Sequence, residues 1–412
     1  MQHIYHHTFA NGFTLLGERM DHVRSAAFYF LVPAGCIHDP PEYRGTASVL
    51  SELMMRGAGT RDNRELSTAL DNLGVDHSES VGGLHLRFWG GTLARNLSKA
   101  LDLYADVLRR PRLPEKEVEA VKALALQDLL GLEDEPAQRL FIELRERHYP
   151  PPLGQDSRGT EKGIEALNIK ALRGHYRRLI RPRGTILSVA GNIDWEALRD
   201  QVGRLFGDWE GGEEPIIRPG TAPAAGKYSH VQKETTQTQI GVAYESVPFG
   251  HPDYYNALGA VNVLDGGMSA RLFTEVREKH GLCYSISASY QTYKDRASIL
   301  CYAGTTNDRA QRTLDLTLRE LTRLKDGIEP DEIERVRVGL KSSLIKQEES
   351  TTARAGTLAS DWYYLGRVRS FDEIQAALNA LTPESIVAHL HRHTPGNFTT
   401  VTLGPESLRV GE

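Results

Sequence analysis

The chain has 412 residues, of which 40% are hydrophobic and 25% are charged, and its formal net charge is −5. This composition is typical of a globular protein, and the negative charge excludes the basic surface of a nucleic-acid-binding protein. No apolar run is long enough to cross a bilayer, no signal segment is recognisable, and Cys36, Cys283 and Cys301 fit neither a disulfide framework nor a zinc cluster. We therefore expect a cytoplasmic protein without membrane or nucleic-acid partners.

The first half of the chain alternates between strand-like and helical patterns. Strands are predicted where apolar residues alternate or form short runs, and helices where apolar residues recur every three or four positions. The helix at 46–55 has an apolar face too broad for one exposed side, so we expect it to be largely buried. The predicted strands are 13–17, 26–32, 84–89 and 185–191, and the predicted helices are 46–55, 62–73, 93–108, 115–132, 136–148, 164–176 and 195–206.

A stretch rich in glycine and proline, 210–226, divides the chain almost in half. It contains four glycines and three prolines without hydrophobic periodicity, which is typical of a linker. The two halves repeat one another, because in each a Pro-Glu-Tyr or Pro-Asp-Tyr triplet precedes a buried helix and a strand closes the half. We predict an α+β fold, a mixed α/β sandwich, with two homologous lobes, 1–209 and 227–412. Each lobe is expected to pack a mainly antiparallel sheet with helices.

An Arg and a Tyr are predicted to lie close together in the second half. A helical run that begins near Ser269 ends at Gly281, and an alternating pattern typical of a strand follows at 282–290. This places Arg277 near the end of the helix and Tyr284 at the start of the strand that returns past it. Considered alone, the pair favours a structural interpretation, since an Arg near a helix C-terminus interacts well with the helix dipole and a Tyr packs well in a strand.

Short motifs along both halves occur in an order typical of one enzyme family. They are Val32-Pro-Ala-Gly35, Arg44-Gly-Thr-Ala47, Arg56-Gly-Ala-Gly-Thr60, Gly266-Gly-Met-Ser-Ala-Arg-Leu-Phe273, Gly281-Leu-Cys-Tyr284 and Tyr364-Leu-Gly366. In this order the chain resembles the pitrilysin/insulinase family of zinc peptidases, in the half-length branch that includes the subunits of mitochondrial processing peptidase. The resemblance covers essentially the whole chain.

The zinc motif of that family is degenerate in this chain. Active members have H-x-x-E-H on a helix, where two histidines on one face bind zinc and the Glu activates the zinc-bound water. The histidine positions here are Ser48 and Glu52, the base position is Ser51, and the later carboxylate ligand aligns near Asp128. A neutral serine ligates zinc poorly, so we predict that this chain binds no metal. Glu52 is expected to pair with Arg56, four residues further along the helix.

The resemblance implies a role for Arg277 and Tyr284, which have the spacing of a functional pair in the family. That pair binds the region of the scissile carbonyl and helps to stabilise the oxyanion, for which a fixed cation and a phenolic donor are suited. A chain with this pair but without the metal motif is predicted to be the zinc-free subunit of a heterodimer. The partner is expected to be a homologue with an intact H-x-x-E-H motif and bound zinc, and the substrates are expected to be unfolded peptides.

Two alternatives and one further motif are left open by the sequence. The chain could be a pseudo-peptidase that serves as a scaffold or peptide-binding module, or a component of a pathway that matures one dedicated peptide. It could also pair with itself when its partner is absent. The histidines of His389-Leu-His-Arg-His393 are predicted to form a solvated helix end, because alternate residues do not share a helix face.

Overall fold

The computed structural model of the protein describes residues 2–213, 215–216, 220 and 227–410. The chain forms two compact units, each assembled from three stretches of sequence. Most of the predicted linker at 210–226 lies outside the described residues. The first unit consists of Met1–Gly131, Gln155–Arg218 and Lys346–Val368, and the second of Leu132–Gly154, Pro219–Ile345 and Arg369–Glu412.

Strands occur in both halves of the chain, and the first three lie before the first helix. They are β1 (His3–Thr8), β2 (Thr14–Arg19), β3 (Ser25–Val32), β4 (Gly57–Ala58), β5 (Arg61–Asp62), β6 (Asp76–Val81), β7 (Leu86–Leu93), β8 (Ile186–Gly191), β9 (Tyr228–Gln232), β10 (Gln237–Ser246), β11 (Cys283–Thr292), β12 (Ala297–Thr306) and β13 (Thr399–Gly404).

The α-helices lie between groups of these strands, and one π-helix (Leu272–Lys279) precedes β11. The α-helices are α1 (Thr46–Met55), α2 (Asn63–Asn72), α3 (Leu97–Arg109), α4 (Val118–Gly131), α5 (Pro136–His148), α6 (Glu161–Ala166), α7 (Ile169–Leu179), α8 (Trp195–Phe206), α9 (Tyr254–Asp265), α10 (Ala310–Arg323), α11 (Pro330–Glu348), α12 (Thr351–Leu365), α13 (Phe371–Asn379) and α14 (Pro383–Arg392).

The first unit contains a six-stranded sheet in the order β1-β2-β8-β3-β7-β6. Only β2 and β8 are parallel, and the other neighbouring strands are antiparallel. One face packs against a core that includes residues of α1, α3, α7 and α8. On the other face, Leu358 of α12 belongs to one buried cluster with Leu16 and Ala190 of the sheet. All six residues of β8 are buried because both faces of the sheet are covered.

The second unit contains a five-stranded sheet in the order β11-β12-β10-β13-β9, in which only β13 and β9 are parallel. Residues of α9, α10, α11, α13 and α14 cover one face. On the opposite face, Leu140 and Leu144 of α5 form a buried cluster with Val401 and Leu403. Gly241 of β10 permits this close packing, since a Cβ there would lie 3.2 Å from a methyl carbon of both leucines.

The structure confirms the predicted fold class, a mixed α/β protein with two units and mainly antiparallel sheets. The compact units nevertheless differ from lobes drawn as 1–209 and 227–412, because α5 belongs to the second unit and α12 to the first. The reason is physical: β8 and the middle of β10 are buried on both faces, so each sheet needs a helix on its second face. No α-helix in the described part of the chain is both long and apolar enough to cross a membrane.

Candidate functional site

The helix α1 bears the degenerate zinc motif, and a buried carboxylate fixes its start. Gly45, directly before the helix, has φ of +108°, a conformation that favours glycine. The carboxylate of Asp39 accepts hydrogen bonds from the backbone N–H groups of Gly45 at 2.8 Å and Ala47 at 2.9 Å. Burial raises the pKa of Asp39 to about 7, although these N–H donors oppose the rise because they stabilise the carboxylate. The first turn of α1 is therefore held in place by side-chain capping.

The degenerate motif positions come together around one cavity of the first unit. Ser48, Ser51 and Glu52 lie three and four residues apart on α1, so they share one face of the helix. Asp128 of α4 borders the same cavity, whose volume is about 480 Å³. Glu79 of β6 also borders this cavity, although it was not among the predicted site residues. The sequence signal for Glu79 is its position two residues before Val81, because alternate residues of a strand lie on the same face. It pairs with Phe88, which belongs to the core that contains residues of α1.

Three polar features border the cavity: an ion pair, a half-buried carboxyl group and a buried hydroxyl. Nε and Nη2 of Arg56 lie 3.0 and 2.6 Å from Oε1 of Glu52, which confirms the predicted pair of residues four apart. Burial raises the pKa of Glu79, the charge of Glu52 raises it further, and Arg56 opposes the rise. Ser51 is 3% exposed, and its Oγ has no hydrogen-bond partner among the described residues.

These polar groups do not fit a zinc ion. Catalytic zinc sites in proteins combine imidazole nitrogen or thiolate sulfur with carboxylate oxygen at about 2.0–2.3 Å. The described residues that line this cavity include no histidine and no cysteine, and Oε1 of Glu52 is already bound by Arg56. Hydroxyl and carboxylate oxygens alone are the ligands of harder cations. We therefore derive no zinc-dependent step from the residues of this chain.

Within the described residues, one group of side chains has metal-ligand chemistry, and it lies in the second unit. Oδ2 of Asp253 is 3.4 Å from Nδ1 of His389 and 3.7 Å from Nε2 of His393. The predicted solvated helix end is wrong for His389, which is only 3% exposed. His389 and His393 both lie near Asp253 because residues four apart share a helix face. Nη2 of Arg392 lies 2.7 Å from the same Oδ2. The group is thus explained as a charge network that joins α14 to the start of α9.

Arg277 lies near the end of the π-helix, as the sequence predicted for a helix in this region. The helix begins at Leu272 rather than near Ser269. Gly281 ends it, since this glycine has φ of +58° and its N–H donates to the carbonyl of Arg277 at 3.1 Å. The π-helix has a wider turn than an α-helix, and such turns are frequent at functional sites.

Tyr284 lies in a β-bulge at the start of β11, which is an edge strand of the second sheet. Cys283 pairs with Thr305 and Ser285 with Gly304, so Tyr284 is the extra residue between two pairs. The Tyr284 residue is 80% exposed. A bulge redirects the side chain of its extra residue, and this one turns a tyrosine outward from the sheet.

The structure brings Arg277 and Tyr284 into contact. Cζ of the Arg277 guanidinium lies 5.1 Å from the centre of the Tyr284 ring and 4.6 Å from the centre of the Phe273 ring. Cation–π contacts of this kind orient a guanidinium through its faces, while its N–H donors point outward in the plane. Phe273 was not among the predicted site residues, although its position four residues before Arg277 places the two on one helix face.

Contacts with neighbouring helices anchor the π-helix and β11, the two elements that bear Arg277 and Tyr284. Arg271, at the start of the π-helix, makes a two-pronged ion pair with Glu332 of α11 at 2.7 and 2.6 Å. Oδ2 of Asp265, at the end of α9, accepts a hydrogen bond from the N–H of Ala288 in β11 at 2.8 Å.

Burial raises the pKa of Cys283 to about 11, so this neighbouring thiol is neutral near pH 7 and unsuited to nucleophilic attack.

Two family models match consecutive parts of the sequence. Residues 17–161 match a model described as insulinase, peptidase family M16, and residues 166–340 match one described as the peptidase M16 inactive domain. The first match contains α1 with its degenerate motif, and the second contains Arg277 and Tyr284.

Full-length relatives and solved structures agree with these matches. A protein of Bacillus subtilis called an uncharacterized zinc protease is 29% identical over 391 residues, which cover 93% of this chain and 94% of the relative. A zinc protease of Rickettsia bellii, also uncharacterized, is 26% identical over 97% of both chains. The crystal structure of a peptidase M16 inactive domain from Pseudomonas fluorescens has a TM-score of 0.90 at 19% identity and covers 99% of both chains. A protease from Helicobacter pylori has a TM-score of 0.89 at 18% identity and covers 98% of this chain and 100% of its own.

Proposed function

The chain belongs to the insulinase family, peptidase family M16, and from this premise we propose that it is the zinc-free subunit of a two-chain peptidase. In this proposal Arg277 and Tyr284 act at the zinc site of a homologous partner that has an intact H-x-x-E-H motif. The observation that supports it best is the contrast between the two units. The motif positions of the first lack imidazole ligands, whereas the second presents an exposed tyrosine over a stacked arginine.

The chemistry proposed for the pair is stabilisation of negative charge. When the carbonyl of a peptide bond is attacked, its oxygen gains charge, and a guanidinium and a phenolic O–H are both suited to donate to it. The contacts of Arg277 with Phe273 and Tyr284 hold the guanidinium in place before the substrate arrives, which reduces the reorganisation required. In the proposal, zinc and the general base belong to the partner, and this chain supplies binding and charge stabilisation only.

The position of the pair beside an open strand edge supports an extended peptide as the substrate. β11 pairs with β12 on one side and is the last strand of its sheet among the described residues. An extended peptide can add to such an edge through backbone hydrogen bonds. The bulge at Tyr284 interrupts the ladder at one point and marks where the side chains of this chain could reach a bound peptide bond. Unfolded peptides are therefore the proposed substrates.

The location and assembly of the complex are part of the same proposal. Cys36, Cys283 and Cys301 are all buried and free, which is compatible with a reducing compartment such as the cytoplasm. The chain is proposed to pair with itself when its partner is absent, because the same units are available to both pairings. The mass of the purified chain in solution, measured by light scattering with and without the partner, tests this statement.

The experiment is reconstitution of activity from two chains. The purified chain, the homologue with H-x-x-E-H from the same organism and their mixture are assayed for zinc content and for hydrolysis of unstructured peptides. We expect zinc only in the partner and full activity only in the mixture. Zinc and activity in this chain alone would show that Ser48, Ser51 and Glu52 are not the motif positions and would overturn the proposal.

Variants of the second unit then test the roles of the pair. Arg277→Ala and Tyr284→Phe are each expected to lower kcat of the mixture about 100–1,000-fold, the usual loss for one oxyanion donor, without changing assembly. Arg312→Ala, at an exposed arginine of α10, is the matched control and is expected to retain activity. Unchanged turnover by both pair variants would refute the assignment.

The alternative of a scaffold or peptide-binding module is favoured by one observation, the absence of imidazole ligands around the cavity in the described residues. It predicts complexes that form without hydrolysis and an Arg277→Ala variant that behaves as the parent chain. The narrower alternative, maturation of one dedicated peptide, predicts activity in the mixture on that peptide but not on a general peptide library. The reconstitution experiment separates all three outcomes.

A further inference from the structure

We propose that Asp253, His389 and His393 of the second unit bind a divalent transition-metal ion. These side chains belong to the charge network that joins the end of α14 to the start of α9. The proposed site uses neither Arg277 nor Tyr284 and no residue of the degenerate motif, so it stands independently of the proposed catalytic role. Four observations support it: the ligand types, the distances between their atoms, the orientation of the Asp253 carboxylate and the packing around the histidines.

The three side chains provide the ligands that transition-metal ions prefer. Imidazole nitrogen combined with carboxylate oxygen binds zinc and related divalent ions, whereas oxygen atoms alone suit harder cations. His389 and His393 lie four residues apart, so both rings stand on one face at the end of α14. Asp253 lies directly before α9 and completes a set of two nitrogens and one oxygen from two elements.

The distances between the ligand atoms fit one shared ion better than they fit hydrogen bonds. Nδ1 of His389 and Nε2 of His393 lie 3.4 and 3.7 Å from Oδ2 of Asp253. Hydrogen bonds from N–H to oxygen are usually about 2.7–3.2 Å long, so both distances are too long for good bonds. Two ligands bound at about 2.0–2.2 Å to a tetrahedral ion lie about 3.3–3.6 Å apart. Since all three atoms lie within 4.8 Å of one another, a small rotation of the partly exposed His393 ring would bring them around a common centre.

The carboxylate of Asp253 is turned toward the histidines rather than toward its own helix. An Asp directly before a helix usually caps it by accepting a hydrogen bond from a backbone N–H of the first turn. Asp253 has this position before α9, yet its side chain makes no capping bond among the described residues. Its oxygens instead face His389, Arg392 and His393 at the end of α14. Contacts with the other helix therefore override the local preference of this Asp.

Neighbouring groups hold the ligand rings in place. His389 is 3% exposed, so packing restricts its ring. The ring of His251 packs edge-on against that of His393, with the ring centres 5.6 Å apart. Nδ1 of His251 in turn accepts a hydrogen bond from the N–H of Asp253 at 3.1 Å. Ligands that are held before an ion arrives lose less conformational freedom when they bind it.

Arg392 competes with an ion for the carboxylate of Asp253. Its Nη2 lies 2.7 Å from Oδ2 and 2.9 Å from Oδ1 of that carboxylate. The Arg392 side chain is 53% exposed, and an exposed ion pair contributes little to stability, so an ion can displace the guanidinium at low cost. We therefore expect reversible binding in the micromolar range, which dialysis removes. The zinc that a dialysed chain retains in the reconstitution experiment then still reports on the degenerate motif alone.

Calorimetric titration of the full chain, without any partner, tests the proposal. The probe is zinc chloride, added to a chain that has been dialysed against a chelator and then against metal-free buffer. We expect one zinc ion per chain. His393→Asn should weaken binding at least about tenfold, because even the loss of a group that only orients a ligand costs about 10–100-fold in metal affinity. His391→Asn, at an exposed histidine of the same helix, is the matched control and should bind as the parent chain does. No binding by the parent, or equal binding by the parent and His393→Asn, would overturn the proposal.

Two further measurements locate the ion and separate its binding from folding. Arg392→Gln is expected to tighten zinc binding about two- to fivefold, the equivalent of one exposed ion pair, because the competitor for Asp253 is removed. Saturating zinc should raise the melting temperature of the parent and of His391→Asn but not that of His393→Asn, since an ion that binds only the folded chain stabilises it. A rise that persists in His393→Asn, or weaker zinc binding by Arg392→Gln, would refute the assignment. Arg277→Ala should bind zinc as the parent does, so failure of the catalytic proposal remains distinguishable.

Discussion

Replacing Arg354 with methionine is expected to destabilise the first unit strongly, because this guanidinium lies buried between two carboxylates. Its side chain is 1% exposed, and Nε donates to Oε2 of Glu18 at 2.8 Å. Nη1 lies 2.7 Å from Oε1 of Glu348. These contacts fasten α12 to β2, and α12 is the helix that covers the second face of the first sheet. Methionine would preserve much of the apolar stem while it removes the charge.

The magnitude follows from what remains after the substitution. The Glu18 side chain is 5% exposed, so the loss of Arg354 leaves a carboxylate without its buried partner. Removal of one member of a buried ion pair costs about 3–5 kcal/mol. For a unit of this size class, about 2–4 °C is lost per kcal/mol, so the melting temperature should fall by about 6–20 °C. The double variant Glu18→Gln with Arg354→Met should recover about 2 kcal/mol or more, since the uncompensated charge is then absent.

Urea unfolding followed by circular dichroism measures these free energies, with calorimetry to resolve the two units. The slope of the free energy against urea should stay the same if only stability changes. A loss below about 1 kcal/mol for Arg354→Met would match an exposed ion pair and would refute the buried-pair reasoning. A double variant no more stable than the single variant would refute it as well.

Two further predictions concern the second unit. Burial lowers the pKa of His148 to about 4, so the folded chain binds fewer protons than the unfolded chain between pH 4 and the ordinary histidine pKa of 6.5. Its contribution to stability is therefore complete above pH 6.5 and is lost as the pH falls toward 4. For a His148→Asn variant, the free energy of unfolding in urea should fall less over this pH range than for the parent chain. An equal fall for the two proteins would contradict the assignment. Leu140→Ala should cost about 2–5 kcal/mol because Leu140 is fully buried under the second sheet, whereas Leu130→Ala, at a residue 70% exposed, should stay within about 0.5 kcal/mol. Equal losses for the two leucine variants would contradict the packing argument.

The convergence of the motif positions could be predicted because it depends on local geometry. Spacings of three and four residues place Ser48, Ser51 and Glu52 on one helix face, and the same rule gave the pair of Glu52 with Arg56. Asp128 was assigned by the resemblance alone, since the packing of α4 near α1 is a tertiary contact. Helical periodicity is thus sufficient to predict the wall of the cavity that α1 forms. The residues of β6 and α4 that form the rest of the wall could be placed only with the tertiary structure.

The features that escaped prediction depend on irregular or long-range structure. A β-bulge shifts the register by one residue, and the sequence around Tyr284 alternates as a regular strand would. The strand β1 (His3–Thr8) was not among the predicted strands, because three of its six residues are histidines rather than typical strand residues. The exchange of α5 and α12 between the halves is set by which sheet face each helix covers, and no local pattern encodes that choice.

The polarity of the degenerate cavity argues that the first unit is more than a support for the second. If α1 had only to pack, an apolar residue at Ser51 would avoid a buried hydroxyl without a partner, which is unfavourable by about 1–3 kcal/mol. Glu79 presents the same contrast, because its carboxyl group lies on the face of the sheet that packs against α1, where burial raises its pKa. Packing alone therefore does not account for these two unfavourable groups, which border one cavity.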